Sequence, residues 1–256
     1  MSDDNTPLRY DIKSDPGDCL IFYQETFENE EDNRSDAHLE IKRLESVVAE
    51  FGFKSNRIKK FKDLSDEEIQ VKLEKWTEED HTNDSCVLIA VFTHGTEESL
   101  RTYNTQYKPR LLWEKIAKYK GMEGKPKIFI IQACRGDVVD SGKGEVYGEK
   151  GGVVVYQDLY PAEPNMLVIH SSTLYSRSVR RLLMECMCEA RTQCQGMEII
   201  RELALANRIM SRKEEGVHVN DYSERGEEEK LLKQCIEVYS TLTKELYLTS
   251  PQEFSS

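Results

Sequence analysis

No apolar run in this 256-residue chain is longer than the seven residues Cys86–Phe92, so no segment approaches the about 20 apolar residues of a membrane-spanning helix. Residues 1–18 have no apolar stretch of the kind a secretory signal needs, and a cytoplasmic location is the expectation. Positive charge is in deficit. Lys and Arg number 35 against 47 Asp and Glu, a net charge of −12, which argues against nucleic acid and membrane partners. Metal-ligand spacing is missing too. Cys186-Met-Cys188 lies on a predicted helix, where positions i and i+2 diverge, and no matching Cys or His pair lies close by. Neither a metal nor a cofactor is expected. An even disulfide set is absent: seven cysteines without a secretory signal read as reduced thiols. Cys19, Cys86 and Cys235 read as inert packing, and the question becomes which thiol reacts.

What is present is enough to fold. A hydrophobic fraction of 38% beside 32% charged residues fits one large globular domain or two small ones. Cys19–Tyr23, Cys86–Phe92, Lys127–Gln132 and Met166–His170 are short apolar runs without polar alternation, as expected of strands covered on both faces. Helices are predicted from Asp36, as the capping residue, to about Phe51 with Gly52 as the stop, after the Ser65–Glu68 capping box, and over Leu111–Tyr119. Another helical stretch runs over 181–212, broken near Gly196, and 238–248 is a last strand candidate. Strands alternating with helices predict an α/β fold with a mainly parallel sheet. Residues 137–164 hold five glycines at 142, 144, 148, 151 and 152 and read as a long exposed loop.

Two motifs carry chemistry. Gln132-Ala-Cys134-Arg-Gly136 and Thr93-His94-Gly95 each follow a predicted buried strand. In an open α/β sheet reactive groups collect outside the carboxyl ends of the strands, so a thiol and an imidazole are delivered to one edge. A free thiol is a weak nucleophile at neutral pH, and a neighbouring base corrects that. His94 can take the proton and return it to a leaving amine, while the Gly95 and Cys134 amides can hold the oxyanion. This is the equipment of a cysteine acyl-transfer enzyme, most simply a peptidase.

The stretch Gly124–Gly136, together with Thr93-His94-Gly95, Asn207-Arg208 and Leu242–Tyr247, resembles the caspase family from about Tyr10 to Leu248. The resemblance implies a three-layer α/β/α fold with a mainly parallel sheet of about six strands. It also implies an endopeptidase that cleaves proteins after aspartate in apoptosis, made as a zymogen. By position, Arg34, Gln132 and Arg177 would bind the substrate aspartate. The implied parts are an arm at 1–18, a large-subunit-like part at 19–136, a processing loop at 137–160 and a small-subunit-like part at 161–256. Asp140 and then Asp158 are the processing candidates. The short arm is similar to that of effector-type members, which implies an upstream activating caspase; the family resemblance implies a homodimer, with caspase inhibitors as further partners. One departure stands out. The loop 171–181 lacks both family tryptophans and is several residues short. That change alters the subsites before the aspartate, and it raises an alternative: a weak or inactive homologue that regulates active caspases by binding them. A relative specific for arginine or asparagine is disfavoured by Arg34, whose cation repels arginine.

Overall fold

A computed structural model describes residues 8–136, 159–173, 178, 181–194, 196–213, 215–216, 231–232 and 234–248. In chain order the main elements begin with β1 (Cys19–Tyr23), α1 (Ala37–Glu50), β2 (Ile58–Lys62), α2 (Asp66–Glu78) and β3 (Val87–Phe92). The short hairpin β4 (Leu100–Arg101) and β5 (Gln106–Tyr107) follows, then α3 (Arg110–Lys118), β6 (Lys127–Gln132) and β7 (Met166–His170). The helices α4 (Leu182–Gln193) and α5 (Ile199–Met210) come next, then a short pair, β8 (Glu215–Gly216) and β9 (Leu231–Leu232), and last β10 (Glu237–Ser240).

Six strands form the central sheet in the order β10-β7-β6-β3-β1-β2. All neighbours are parallel except β10 on β7, which is antiparallel. β3 and β6 occupy its middle and are buried at every residue, which is why they read as continuous apolar runs. Alternate side chains feed two cores. Ile21, Leu88 and Ile130 join Leu44, Leu183 and Leu203 of α1, α4 and α5 on one face. Phe22, Ile89 and Phe129 join Leu73 and Trp113 of α2 and α3 on the other. The molecule is therefore a three-layer α/β/α sandwich.

Local signals explain most boundaries. Ser65 and Glu68 form a reciprocal capping box at the start of α2. Gly52 closes α1 at φ 96°, and Gly196, at φ 73°, lies between α4 and α5. Three expectations need correction. Asp36 stands at the N-cap of α1 but makes no capping bond, because its carboxylate pairs with Arg181 at 2.8 Å. The final strand covers Glu237–Ser240 rather than 238–248; past it, pairing is reduced to a single bridge between Glu245 and Arg9. Cys235 is exposed rather than packed, since Gln234 and Ile236 on either side turn inward and alternation sends it out.

Candidate active site

Register sets the site. Phe92 of β3 lies opposite Gln132 of β6. His94 and Cys134 each stand two residues beyond that matched pair, at the carboxyl edge of neighbouring strands. They line one open cleft of about 670 Å³ with Gly95, Asp32, Arg101 and Tyr103 among its walls. The close fit behind the cleft fixes the glycine. A Cβ at Gly95 would lie 2.7 Å from the Cys134 carbonyl oxygen and 2.9 Å from that of Ser99, so no side chain fits there.

The imidazole is held from behind. His94 Nε2 is 2.8 Å from the backbone carbonyl of Asp32, and the ring lies against Phe27 with centroids 4.8 Å apart. A carbonyl can only accept, so Nε2 carries a proton, and in the neutral ring the lone pair is then on Nδ1. Asp32 is kept in place through its side chain, which pairs with Arg101 at 2.9 Å. Asp32 escapes sequence reasoning because it acts through its carbonyl, which every residue type has.

Around the thiol, the described part of the segment after β7 comes close. The Ser178 amide donates to Cys134 Sγ at 3.4 Å, and Sγ lies 3.8 Å from the Ser178 carbonyl. The Ser178 hydroxyl accepts from Gln132 Nε2 at 2.7 Å and donates to Ser171 Oγ at 2.7 Å. Gln132 Oε1 is buried without a hydrogen-bond partner among the described residues. Ser178 thus engages both the thiol and the amide of Gln132, a role no sequence signal marks.

Arg34 and Gln132 are brought to the same end of the sheet but do not line the open cleft; they are 1% and 2% exposed. The Arg34 guanidinium donates through Nη2 to both oxygens of Glu40, at 3.0 and 3.1 Å, and through Nη1 to the Gln24 carbonyl at 3.3 Å. Taken alone, a charge before a helix reads as solvated; the burial of Glu40 in the first turn of α1 draws this one inside. Arg177, Asp140 and Asp158 lie outside the described residues. Next to Cys134, Arg135 donates to Glu237 at 2.7 Å and to the Tyr160 hydroxyl at 2.8 Å, tying the thiol's segment to β10. Burial, with a smaller push from the Glu237 hydrogen bond, raises the Tyr160 hydroxyl to about 12. Asp18, Glu79 and His81 offer atoms within 4.8 Å of one another, the spacing of a cation site. Asp18 already accepts from Arg57, Lys59 and Trp76, and His81 sits between Asp84 and the Trp76 carbonyl, so the cluster is a closed hydrogen-bond network.

Comparison with known proteins agrees with this geometry. The model of the caspase domain matches residues 16–247. Caspase-1 of Spodoptera frugiperda is 36% identical over 129 residues, 49% of this chain and 42% of that protein. Caspase-1 of Drosophila melanogaster is 31% identical over 165 residues, 63% of this chain and 49% of that protein. The matched stretch thus spans about half the length of these curated relatives or less. The crystal structure of caspase-1 from Spodoptera frugiperda superposes with a TM-score of 0.78 at 26% identity, covering 98% of this chain and 96% of that one. A structure of pro-sf-caspase-1 gives 0.72 at 25% identity, covering 95% and 99%.

Proposed function

Because this chain belongs to the caspase domain family, we propose that it is a cysteine endopeptidase that cleaves proteins after aspartate. The observation that carries the reading is the pairing of two strand ends on one cleft, with the His94 tautomer fixed by the Asp32 carbonyl. Nδ1 of His94 takes the proton of the Cys134 thiol, and the thiolate attacks the scissile carbonyl carbon. The oxyanion that forms is held by the backbone amides of Gly95 and Cys134. His94 then protonates the departing amine, and water, activated by the same imidazole, hydrolyses the thioester.

Arg34 and Gln132 supply the acid-binding pocket, with Arg177 as a further cation. Because the Gln132 amide is already bonded to Ser178, a substrate carboxylate reaches it by displacing that hydroxyl. Zymogen processing at Asp140 or Asp158 within 137–160 separates a 19–136 part from a 161–256 part, and the processed unit works as a cytoplasmic homodimer in apoptosis. Activation by an upstream caspase and restraint by caspase inhibitors follow from the same reading.

The test is turnover of fluorogenic peptides ending in aspartate, asparagine or arginine, before and after cutting within 137–160. Aspartate peptides are expected to be cleaved, and Cys134→Ala or His94→Ala should each remove roughly a thousandfold or more of the rate. Aspartate turnover that survives Cys134→Ala overturns the nucleophile. Absence of turnover in both forms overturns the enzyme reading, and binding to an active caspase would then replace it with the regulator.

A further inference from the structure

Glu40 is wholly buried, and so is Arg34, to which both of its oxygens are bonded. Arginine meets a carboxylate most firmly across two nitrogens, as a fork on a fork. Among the described contacts both Glu40 oxygens are bonded to Nη2, and Nη1 turns to the Gln24 carbonyl. The backbone around the pair is fixed: the Arg34 amide donates to Glu25, and the Arg34 carbonyl accepts from Ala37. The guanidinium therefore has little room to swing, and its net charge becomes the variable. Arg181, another described arginine beside the start of α1, is likewise paired with a carboxylate there, that of Asp36.

We propose that Glu40 is a specificity-determining residue: it is the internal carboxylate on Arg34, and a substrate aspartate must share the guanidinium with it. At Arg34 an acidic side chain entering this pocket meets a neutral ion pair rather than a bare cation. In a buried site that lowers the attraction for aspartate far more than it would in water. Glu40 is therefore a brake on affinity for acidic side chains, and removing its charge should strengthen their binding. This inference rests on the aspartate-pocket reading above.

The test uses the 256-residue chain carrying Cys134→Ala, with and without Glu40→Gln, titrated with two peptides that differ only in a final aspartate or asparagine. Glu40→Gln is expected to tighten the aspartate peptide at least about fivefold and to leave the asparagine peptide within about twofold. In the chain that keeps Cys134, the same change should lower KM for aspartate substrates at unchanged kcat. Loss of a purely structural contact would instead weaken both peptides together. Thermal melting reports folding; should Glu40→Gln fail to fold, Glu40→Asp keeps the charge but draws it back, and a gain of about twofold is expected. Unchanged or weaker aspartate binding in the folded variant overturns the role of Glu40. A parent chain that prefers aspartate no more than asparagine overturns the pocket itself, and this inference with it.

Discussion

Two buried arginine–glutamate pairs can be compared in this molecule. Arg191 of α4 meets Glu202 of α5 at 2.8 Å, with both side chains almost fully buried, and it also donates to the carbonyls of Glu50 and Leu248. It ties three helices and the end of the described chain together, and it does not line the cleft of His94 and Cys134. Arg34–Glu40 has the same chemistry and burial, but it lies at the carboxyl edge of the sheet beside the site. Burial raises the Glu202 carboxyl in spite of Arg191, so attraction within that pair does not fully offset desolvation. On the proposed reading, an identical pair of residue types is thus a tie in one place and part of the aspartate pocket in the other. Position relative to the strand ends, not the pair itself, separates the roles.

The largest effect should come from breaking the tie. Arg191→Met leaves Glu202 buried without its cation and is expected to cost roughly 3–5 kcal/mol in urea unfolding, while Arg191→Met with Glu202→Leu should return most of it. Next, Arg34→Met with Glu40→Leu should fold at near-parent stability yet lose roughly 100-fold in kcat/KM on aspartate peptides, about 2.7 kcal/mol. If that double variant keeps its activity, the two pairs are alike and the comparison fails. A smaller effect concerns His170, beside the third buried arginine, Arg135. Burial first and Arg135 second hold its imidazole well below its ordinary value of 6.5. The unfolded chain takes up a proton as pH falls below about 6.5 while the folded one does not, so stability should drop there by at most about 1.4 kcal/mol per pH unit. His170→Phe should flatten that part of the urea midpoint profile between pH 7 and 5. An unchanged slope would mean another group causes it. Smallest is Ser65→Ala, which removes one half of the capping box and should cost about 1 kcal/mol in the same assay.

The buried middle of the sheet was legible because apolar runs admit few other readings; β1, β3, β6 and β7 lie within a residue of their expected places. β2 was not. Its residues Ile58-Lys-Lys-Phe-Lys62 read as polar, yet Phe61 stacks on Phe22 at 5.0 Å, and the lysines pair with Asp18, Glu45 and Glu25. An edge strand wears such charges on its open side, and sequence periodicity alone does not reveal the acids that neutralise them. At the site, His94 and Cys134 were legible from their motifs. The contacts of Glu40 and Ser178 were not, because one is a pair six residues apart across a helix start, and the other is made of backbone and hydroxyl contacts 44 residues from the thiol.

The matched pair Phe92–Gln132 also has a consequence for which changes of length the chain can absorb. Loops on either side can grow or shrink at small entropic cost. A single residue inserted into β3 or β6 is different, since strand side chains alternate faces and a one-residue slip would turn every following side chain to the other face. It would send either His94 or Cys134 into the helical layer. Insertions and deletions in functional relatives should therefore collect outside Val87–Gly95 and Lys127–Cys134. These two stretches act as a ruler, and the rest of the chain is free to vary in length around them.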